Sequence, residues 1–591
     1  MITSFRRLFV IYRDYRGRLI LSQLLVLISA AATIGVATLT QRVINDGLLK
    51  DDSGVVIETG IWMIVLGLVA AAALAGAAVF AVFFSEGTAY VIRSELYRHV
   101  QRLSFENFDR LRTGNLLVRL GADVNQISNA VLYSVIYILY APFMLLVAFI
   151  LTAIQIPSLL WVLAVSVVGV LALMAIIVPR VFAAYDERQQ RLDDLNNTLQ
   201  ESIAGVRVVK AFTREELEVE RFRDRADGMR RPAFRAAFLV AALGPLLVGL
   251  TQLLTATSIW VGGDAVINGS GLNLGELTTF IQYLALTLTP LALMAVVIPF
   301  ILRGDASAAR IFAVYDTPPA LADDAESSPL EPASVAGRLV FENVSFAFRR
   351  PDGELDPPAI KDIDLTIEPG ERIGFLGATG AGKSALVNLI PRFYDPTEGR
   401  ITLDDVDIRQ IPLDDLRRTV GIALQEALLF RGDIRFNLKF GAPDAGDDEM
   451  VGAATAADAA GFVENLPEQW DAPVARRGYN FSGGQRQRLA IGRSLTPRPR
   501  VLVLDDSTSA LDVATEGRVQ DAIPEFAGDV TTLYVAQRIS AVINLDRIVL
   551  LEEGRIVDVG THEELLARSG LYQEIYVSQL GALPGQAGGS E

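Results

Sequence analysis

The chain has 591 residues, 53 Lys and Arg against 69 Asp and Glu for a net charge of −16, no Cys, and only two His, His99 and His562. Without cysteine there is no disulfide, thiolate nucleophile or cysteine-ligated metal, and two histidines exclude a multi-histidine metal centre. Apolar residues make up 51% and charged residues 21%, too apolar for an ordinary soluble protein and too charged for a chain lying wholly in lipid, so membrane and water-soluble parts are both expected.

The first 19 residues (MITSFRRLFVIYRDYRGRL) interleave Arg with aromatics and lack a short apolar core followed by a small-residue cleavage site. They predict an amphipathic helix on the inner membrane surface and a first span that is retained. Six windows without Asp, Glu, Lys or Arg follow, at 19–40, 61–84, 131–153, 159–178, 238–260 and 280–302, each near the roughly 20 residues that cross the hydrocarbon core. The loops after the first, third and fifth windows carry just Arg42 and Lys50, whereas the other 25 of the 27 basic residues in 1–316 lie in the N-terminal segment, the two long loops or just after the sixth window. Positive residues stay inside, so both ends of this domain are expected in the cytoplasm. Within 85–130 and 179–237, charged residues alternate with Leu, Val and Phe at helical spacing (Leu192, Leu195, Leu199), predicting membrane helices that continue as cytoplasmic stalks. With no charge inside any window, the cavity such a bundle offers is apolar, with Gln23, Gln252, Gln282, Tyr283 and Thr287 as scattered polar groups.

Residues 317–337 (TPPALADDAESSPLEPASVAG), rich in Pro, Ala and acid, predict an interdomain linker. Residues 1–316 hold 27 basic and 25 acidic side chains, so the net −18 of the remainder belongs to the soluble half. That half has no basic stretch, and a nucleic-acid partner is not expected.

The soluble half is assigned to 338–580, with 581–591 as a disordered tail. In it a strand (RIGFL, 372–376) is followed by Gly377, Ala378, Thr379, Gly380, Ala381, Gly382, Lys383, Ser384 and Ala385. This is G-x-x-x-x-G-K-S at a strand-to-helix turn: backbone N–H groups cradle phosphate, Lys383 brings a point charge to the β/γ-phosphates, and the Ser384 hydroxyl can ligate Mg²⁺. A second apolar strand (VLVL, 501–504) ends in Asp505 and Asp506, placing Asp505 to hold Mg²⁺ through its water shell. Between them lies Phe481, Ser482, Gly483, Gly484 and Gln485, ahead of a helical run.

With these motifs in place the chain resembles an ATP-binding cassette (ABC) transporter of the exporter, or type IV, fold over nearly its full length. The resemblance implies an all-α membrane domain of six helices followed by an α/β P-loop NTPase cassette, with ATP and Mg²⁺ as cofactors. It implies that Phe348 stacks on adenine, that Gln425 reaches Mg²⁺ and the attacking water, that Ser482–Gln485 (with Phe481 where the family has Leu) close the ATP site of a second chain, and that Asp512 is the D-loop aspartate. It places short coupling helices near 114–119 and 210–214.

Against the family pattern, Asp506 stands where a catalytic Glu is usual and Gln537 where a switch His is usual; Arg476 also replaces an acidic X-loop residue. One fewer methylene withdraws the carboxylate, and Gln does not titrate. Both changes weaken one step, so the resemblance points to the degenerate, slowly hydrolysing half of a heterodimeric exporter. In that reading the chain is a multi-pass protein of the plasma or inner membrane with N-terminus, linker and cassette cytoplasmic. It has a second half-transporter as partner and hydrophobic or amphiphilic compounds, drugs or lipids as cargo. A homodimer with weak ATPase, an importer on the same fold and an ATP-gated channel or regulatory subunit are the alternatives.

Overall fold

The computed structural model describes residues 7, 15–111, 113–269, 271–321, 329–331, 334–350 and 353–581. Most of the N-terminal amphipathic segment, the middle of the linker and the 582–591 tail lie outside the described residues. The chain divides into two units: Met1–Val100 with Gly114–Thr317, and Gln101–Thr113 with Pro318–Glu591.

The first unit is helical. Its long elements are Arg16–Arg42, Ser53–Val100, Leu160–Ala204, Glu215–Ile267 and Leu274–Tyr315, and between the second and third of these the chain runs as shorter helices from Thr113 to Gln155. Five helical stretches are long and apolar enough to cross a membrane among the described residues, and the sixth window lies within Leu274–Tyr315. At 1.5 Å per residue the 48-residue helix Ser53–Val100 is about 72 Å long, more than twice the hydrocarbon thickness.

Small residues let the first two helices approach closely. Ala30, Ala73, Ala77 and Ala81 are buried, and the Ser22 and Ser29 hydroxyls donate across the contact to the carbonyls of Ala77 and Ala70, both at 2.9 Å. Outward side chains such as Ile64 and Leu68 are two-thirds exposed. The third window is not one continuous helix. Helices Val124–Tyr137 and Tyr140–Gln155 are separated at Ile138 and Leu139, because Pro142 lacks an N–H for the Ile138 carbonyl and its ring crowds that oxygen.

A π-helical turn at Arg119–Asp123 turns the buried Asp123 carboxylate toward the last helix. There it accepts from Ser307 Oγ at 2.9 Å and from Arg310 Nε at 3.0 Å. Of the polar groups expected to line a cavity, Tyr283 and Thr287 are instead buried in helix packing. The Tyr283 hydroxyl is 2.7 Å from Thr38 Oγ1, and Thr287 donates to its own helix. The Gln23 amide is taken up by the Val135 carbonyl. Gln282 does line an open apolar pocket of about 440 Å³ with Thr33, Val36 and Ala285, and Gln252 is exposed.

The second unit is built on a six-stranded sheet in the order Arg555–Gly560, Arg547–Glu552, Arg372–Leu376, Thr531–Ala536, Val501–Asp505, Val420–Ala423. Four of its five pairings are parallel, and the one at the Arg555–Gly560 edge is antiparallel. Val501–Asp505 and Thr531–Ala536 are buried along their whole length, as strands covered on both faces must be. Alternation along one strand divides the core: Val501 and Val503 pack with Leu386 and Ile390, Leu502 and Leu504 with Leu489, Ile491 and Val519. A second, antiparallel sheet runs Ile360–Ile367, Leu339–Phe346, Glu398–Leu403, Val406–Asp407.

Residues Gln101–Thr113 from the first long loop belong to this second unit. Their helix, Phe105–Leu111, stacks Phe105 on Phe393 with ring centroids 4.4 Å apart. Asp109 accepts from the Tyr394 hydroxyl at 2.8 Å, and Glu106 accepts from Arg349 Nε at 3.1 Å. The Asn107 amide donates to the Pro318 carbonyl and accepts from Ala320 N–H. The docked segment therefore lies just ahead of 114–119, which belongs to the helical unit; 210–214 lies in that unit too, taking in the end of helix Val206–Ala211 and the turn before helix Glu215–Ile267.

Candidate nucleotide site

Strand Arg372–Leu376 delivers the chain to Gly377, and the helix Lys383–Asn388 leads it away. Two glycines of the loop have no substitute. A Cβ on Gly377 would lie 2.3 Å from the Leu551 carbonyl oxygen, and one on Gly382, at φ +98°, 2.5 Å from that of Ala359. Gly380, at φ +86°, faces open space, needing glycine for its backbone alone. Ala381 and Ala385 are buried in the core beneath, which fixes the loop to the sheet.

Lys383 is 7% exposed, its ammonium donating to the carbonyls of Gly377 at 2.7 Å and Ala378 at 2.9 Å. Burial pushes it below the ordinary lysine range, against the attraction of Asp506 and Asp505. The Ser384 hydroxyl lies 2.9 Å from Asp505 Oδ1. A hydroxyl and a carboxylate thus meet at the end of the loop, both oxygen donors of the kind Mg²⁺ takes directly or through its waters. No group of three or more His, Cys, Asp or Glu suited to a metal exists among the described residues, as expected where phosphate and water complete the shell. Burial raises Asp505 above the usual carboxylate range; the Ser384 hydrogen bond and the Lys383 charge oppose this, while the Asp506 charge adds to it.

Asp506 has φ +47°, a left-handed backbone that Asp tolerates better than most residues. Its N–H donates to the Val535 carbonyl at 3.0 Å. Its Oδ2 faces two amides, Gln425 Nε2 at 3.3 Å and Gln537 Nε2 at 3.5 Å. Thr379 Oγ1 is 3.4 Å from Gln537 Oε1. Phe348, edge-on to Phe346 and Tyr394, leaves its ring at the rim, 37% exposed. A cavity of about 300 Å³ is lined by Phe348, the loop from Thr379 to Ala385, Gln425, Asp505, Asp506 and Gln537. The phosphate loop, the end of strand Val501–Asp505, Gln425, Gln537 and Phe348 thus meet around one space.

The signature residues do not line that cavity. Ser482 caps helix Gly483–Leu495 in a reciprocal box: its hydroxyl accepts from Gln485 N–H at 3.2 Å, and Gln485 Oε1 accepts from Ser482 N–H at 2.9 Å. Phe481 is buried, edge-on to Phe462, so the larger ring is absorbed by the core. Gly484 approaches the Ala510 carbonyl, where a Cβ would sit at 3.1 Å. Asp512 caps helix Val513–Ala527 through Thr515 N–H at 2.9 Å.

Three residues essential to this arrangement carry no sequence signal of their own. Gln487 ties the signature helix to the D-loop, accepting from Ala510 N–H at 2.9 Å and donating to Ser509 Oγ at 3.2 Å. Buried Glu516 braces the segment after Asp506, accepting from Thr508 Oγ1 at 2.5 Å and from Arg538 at 3.3 Å. Gln579 bonds the backbone on both sides of Arg538.

Two family models match the chain: the ABC transporter transmembrane region over residues 19–291 and the ABC transporter over 360–509. The chain is 34% identical over 558 residues to the uncharacterized ABC transporter ATP-binding protein YfiB of Bacillus subtilis (strain 168), covering 94% of this chain and 96% of that protein. It is 33% identical over 580 residues to an ATP-dependent lipid A-core flippase of Syntrophus aciditrophicus (strain SB), covering 97% and 94%. A bacterial Atm1-family ABC exporter solved with ATP bound superposes with a TM-score of 0.81 at 25% identity, covering 96% of this chain and 98% of that one.

Proposed function

The chain belongs to the ABC transporter family, as an exporter with its transmembrane and ATP-binding domains fused, and on that premise we propose that it is one half of a heterodimer whose own ATP site hydrolyses slowly. The observation that carries this reading is the facing of Asp506 by two neutral amides, Gln425 and Gln537. The family's ATPase binds ATP with Mg²⁺; here Ser384 and Asp505 would hold the ion, with Gln425 beside them. Mg²⁺, when bound, offsets charge on the β- and γ-phosphates.

The loop amides and Lys383 bind and orient the phosphates. Asp506 is the carboxylate available to accept a proton from water, and Gln537 can donate or accept a hydrogen bond but cannot carry a proton away. The site therefore retains ATP. The intact Ser482 to Gln485 box supplies a helix N-terminus for the partner's nucleotide. Closure of two cassettes on ATP opens the cavity outward, hydrolysis at the partner's competent site resets it, and ATP kept at this site biases the equilibrium between states.

The lipid A-core flippase among the relatives and the apolar, Gln282-bearing pocket support a lipid-like or otherwise amphiphilic cargo. The membrane is the plasma or inner membrane, with the cassette in the cytoplasm.

Phosphate release is to be compared for the purified chain alone and with a half-transporter carrying Glu and His at the matching positions. The proposal expects a low rate alone and a large gain in the mixed dimer. Full turnover by the isolated chain would make it a homodimer and sink the proposal.

A further inference from the structure

The C-terminal helix Gly570–Leu580 is anchored at its start and reaches the nucleotide site at its end. Tyr572 is fully buried with its hydroxyl 2.6 Å from His562 Nδ1, which fixes the first turn. In the last turn, Gln579 Nε2 donates to the Gln537 carbonyl at 2.8 Å, and Gln579 Oε1 accepts from Ile539 N–H at 2.8 Å. These two backbone groups sit where strand Thr531–Ala536 has ended and the 3₁₀ turn Ile539–Ala541 begins, so neither has a ladder partner and each needs one. A primary amide satisfies a carbonyl and an N–H together. A carboxylate satisfies only the N–H, and a methyl satisfies neither.

Between this helix and the phosphate loop lies a cavity of about 590 Å³, with Gly377, Thr379 and Gln537 on one side and Leu571, Glu574 and Ser578 on the other. Apolar packing does not close that gap, and the Gln579 side chain is exposed, so its two hydrogen bonds are not part of the core. What they fix is the backbone that aims the Gln537 side chain at Thr379 and Asp506.

We propose that Gln579 is a positioning residue for ATP turnover: it holds residues 537–539 so that the residue at 537 meets the terminal phosphate, and it gives the C-terminal helix control over how long ATP stays bound. The proposal rests on the reading of Gln537 as the switch position.

The experiment uses the full-length chain in lipid nanodiscs and follows release of labelled ATP after a chase, with thermal melting as the control for folding. Gln579→Ala is expected to speed release roughly three- to tenfold, the loss of one to two ordinary hydrogen bonds. Gln579→Glu, which keeps the bond to Ile539, should fall between the parent and Gln579→Ala, and it serves as the readout if the alanine variant melts early. In a Gln537→Ala background, Gln579→Ala should add no further acceleration, a coupling that general loosening of the helix would not produce. Unchanged release in a well-folded Gln579→Ala protein overturns the proposal, as does an equal acceleration with and without Gln537. Fast release from the parent would overturn the slow-site reading yet leave the coupling measurable, so the two failures are distinguishable.

Discussion

Replacing Asp506 by Glu together with Gln537 by His gives the most direct test of why this site would be slow. The Asp506 carboxylate stands 3.3 Å from Gln425 and 3.5 Å from Gln537, both longer than the usual 2.7–3.2 Å hydrogen bond. One more methylene carries it forward by about 1.3 Å. A reacting group misplaced by about 1 Å can cost roughly 10²-fold in rate, and at about 1.36 kcal/mol per tenfold the double variant should lower the barrier by about 2.7 kcal/mol. A cost opposes it: the backbone at 506 is left-handed, φ +47°, and Glu lacks the short polar side chain that suits Asp there, a penalty of under about 1 kcal/mol in stability. The expectation is therefore a slightly lower melting temperature with hydrolysis at this site raised by about two orders of magnitude. The assay is phosphate release at saturating ATP by the full-length double variant, alongside ATP affinity. Unchanged affinity and an unchanged rate would show that neither residue limits the site.

Three further outcomes follow from the geometry. Gly382→Ala should reduce ATP affinity by more than about 10²-fold in a binding titration, because its Cβ would strike the Ala359 carbonyl and shift the phosphate loop; Gly380→Ala, with open space around it, should cost about 1 kcal/mol of backbone strain and keep most binding. Arg310→Met leaves the buried Asp123 carboxylate with Ser307 as its remaining partner among the bonds described. It should destabilise the membrane unit by about 2 kcal/mol in detergent melting, a value reduced for the half-exposed arginine, and Asp123→Asn in the same chain should recover over half. Phe105→Ala removes the ring stacked on Phe393 and should lower cargo-stimulated ATPase severalfold while ATP affinity holds.

Much of the fold and of the site is legible in the sequence. Six uncharged windows, the glycine pattern at 377–384 and the strand ending in Asp505 are local signals, each set by a physical requirement that a short stretch of chain must meet alone. The break at Ile138 was also readable, since Pro142 announces it; the uncharged window across it hid the point by registering apolarity without backbone hydrogen bonding. Tyr283 and Thr287 were misplaced into a cavity because polarity within a span does not say which face a residue takes. The pairing of Asp123 with Arg310, that of Glu516 with Arg538 and the bonds of Gln579 join residues 22 to 187 positions apart, and no periodicity or spacing encodes such partners.

The docking of Phe105–Leu111 among residues that follow Pro318 bears on how this protein can be dissected. A fragment beginning at 318 would retain both sheets but bare the rings of Phe393 and Tyr394, together with the Arg349 guanidinium, all of which the short upstream helix engages. Freed aromatic surface of that kind favours self-association. Supplying 101–113 as a separate peptide, or grafting it onto the fragment through a flexible tether, should restore a monodisperse soluble piece, whereas a clean cut at the linker should not.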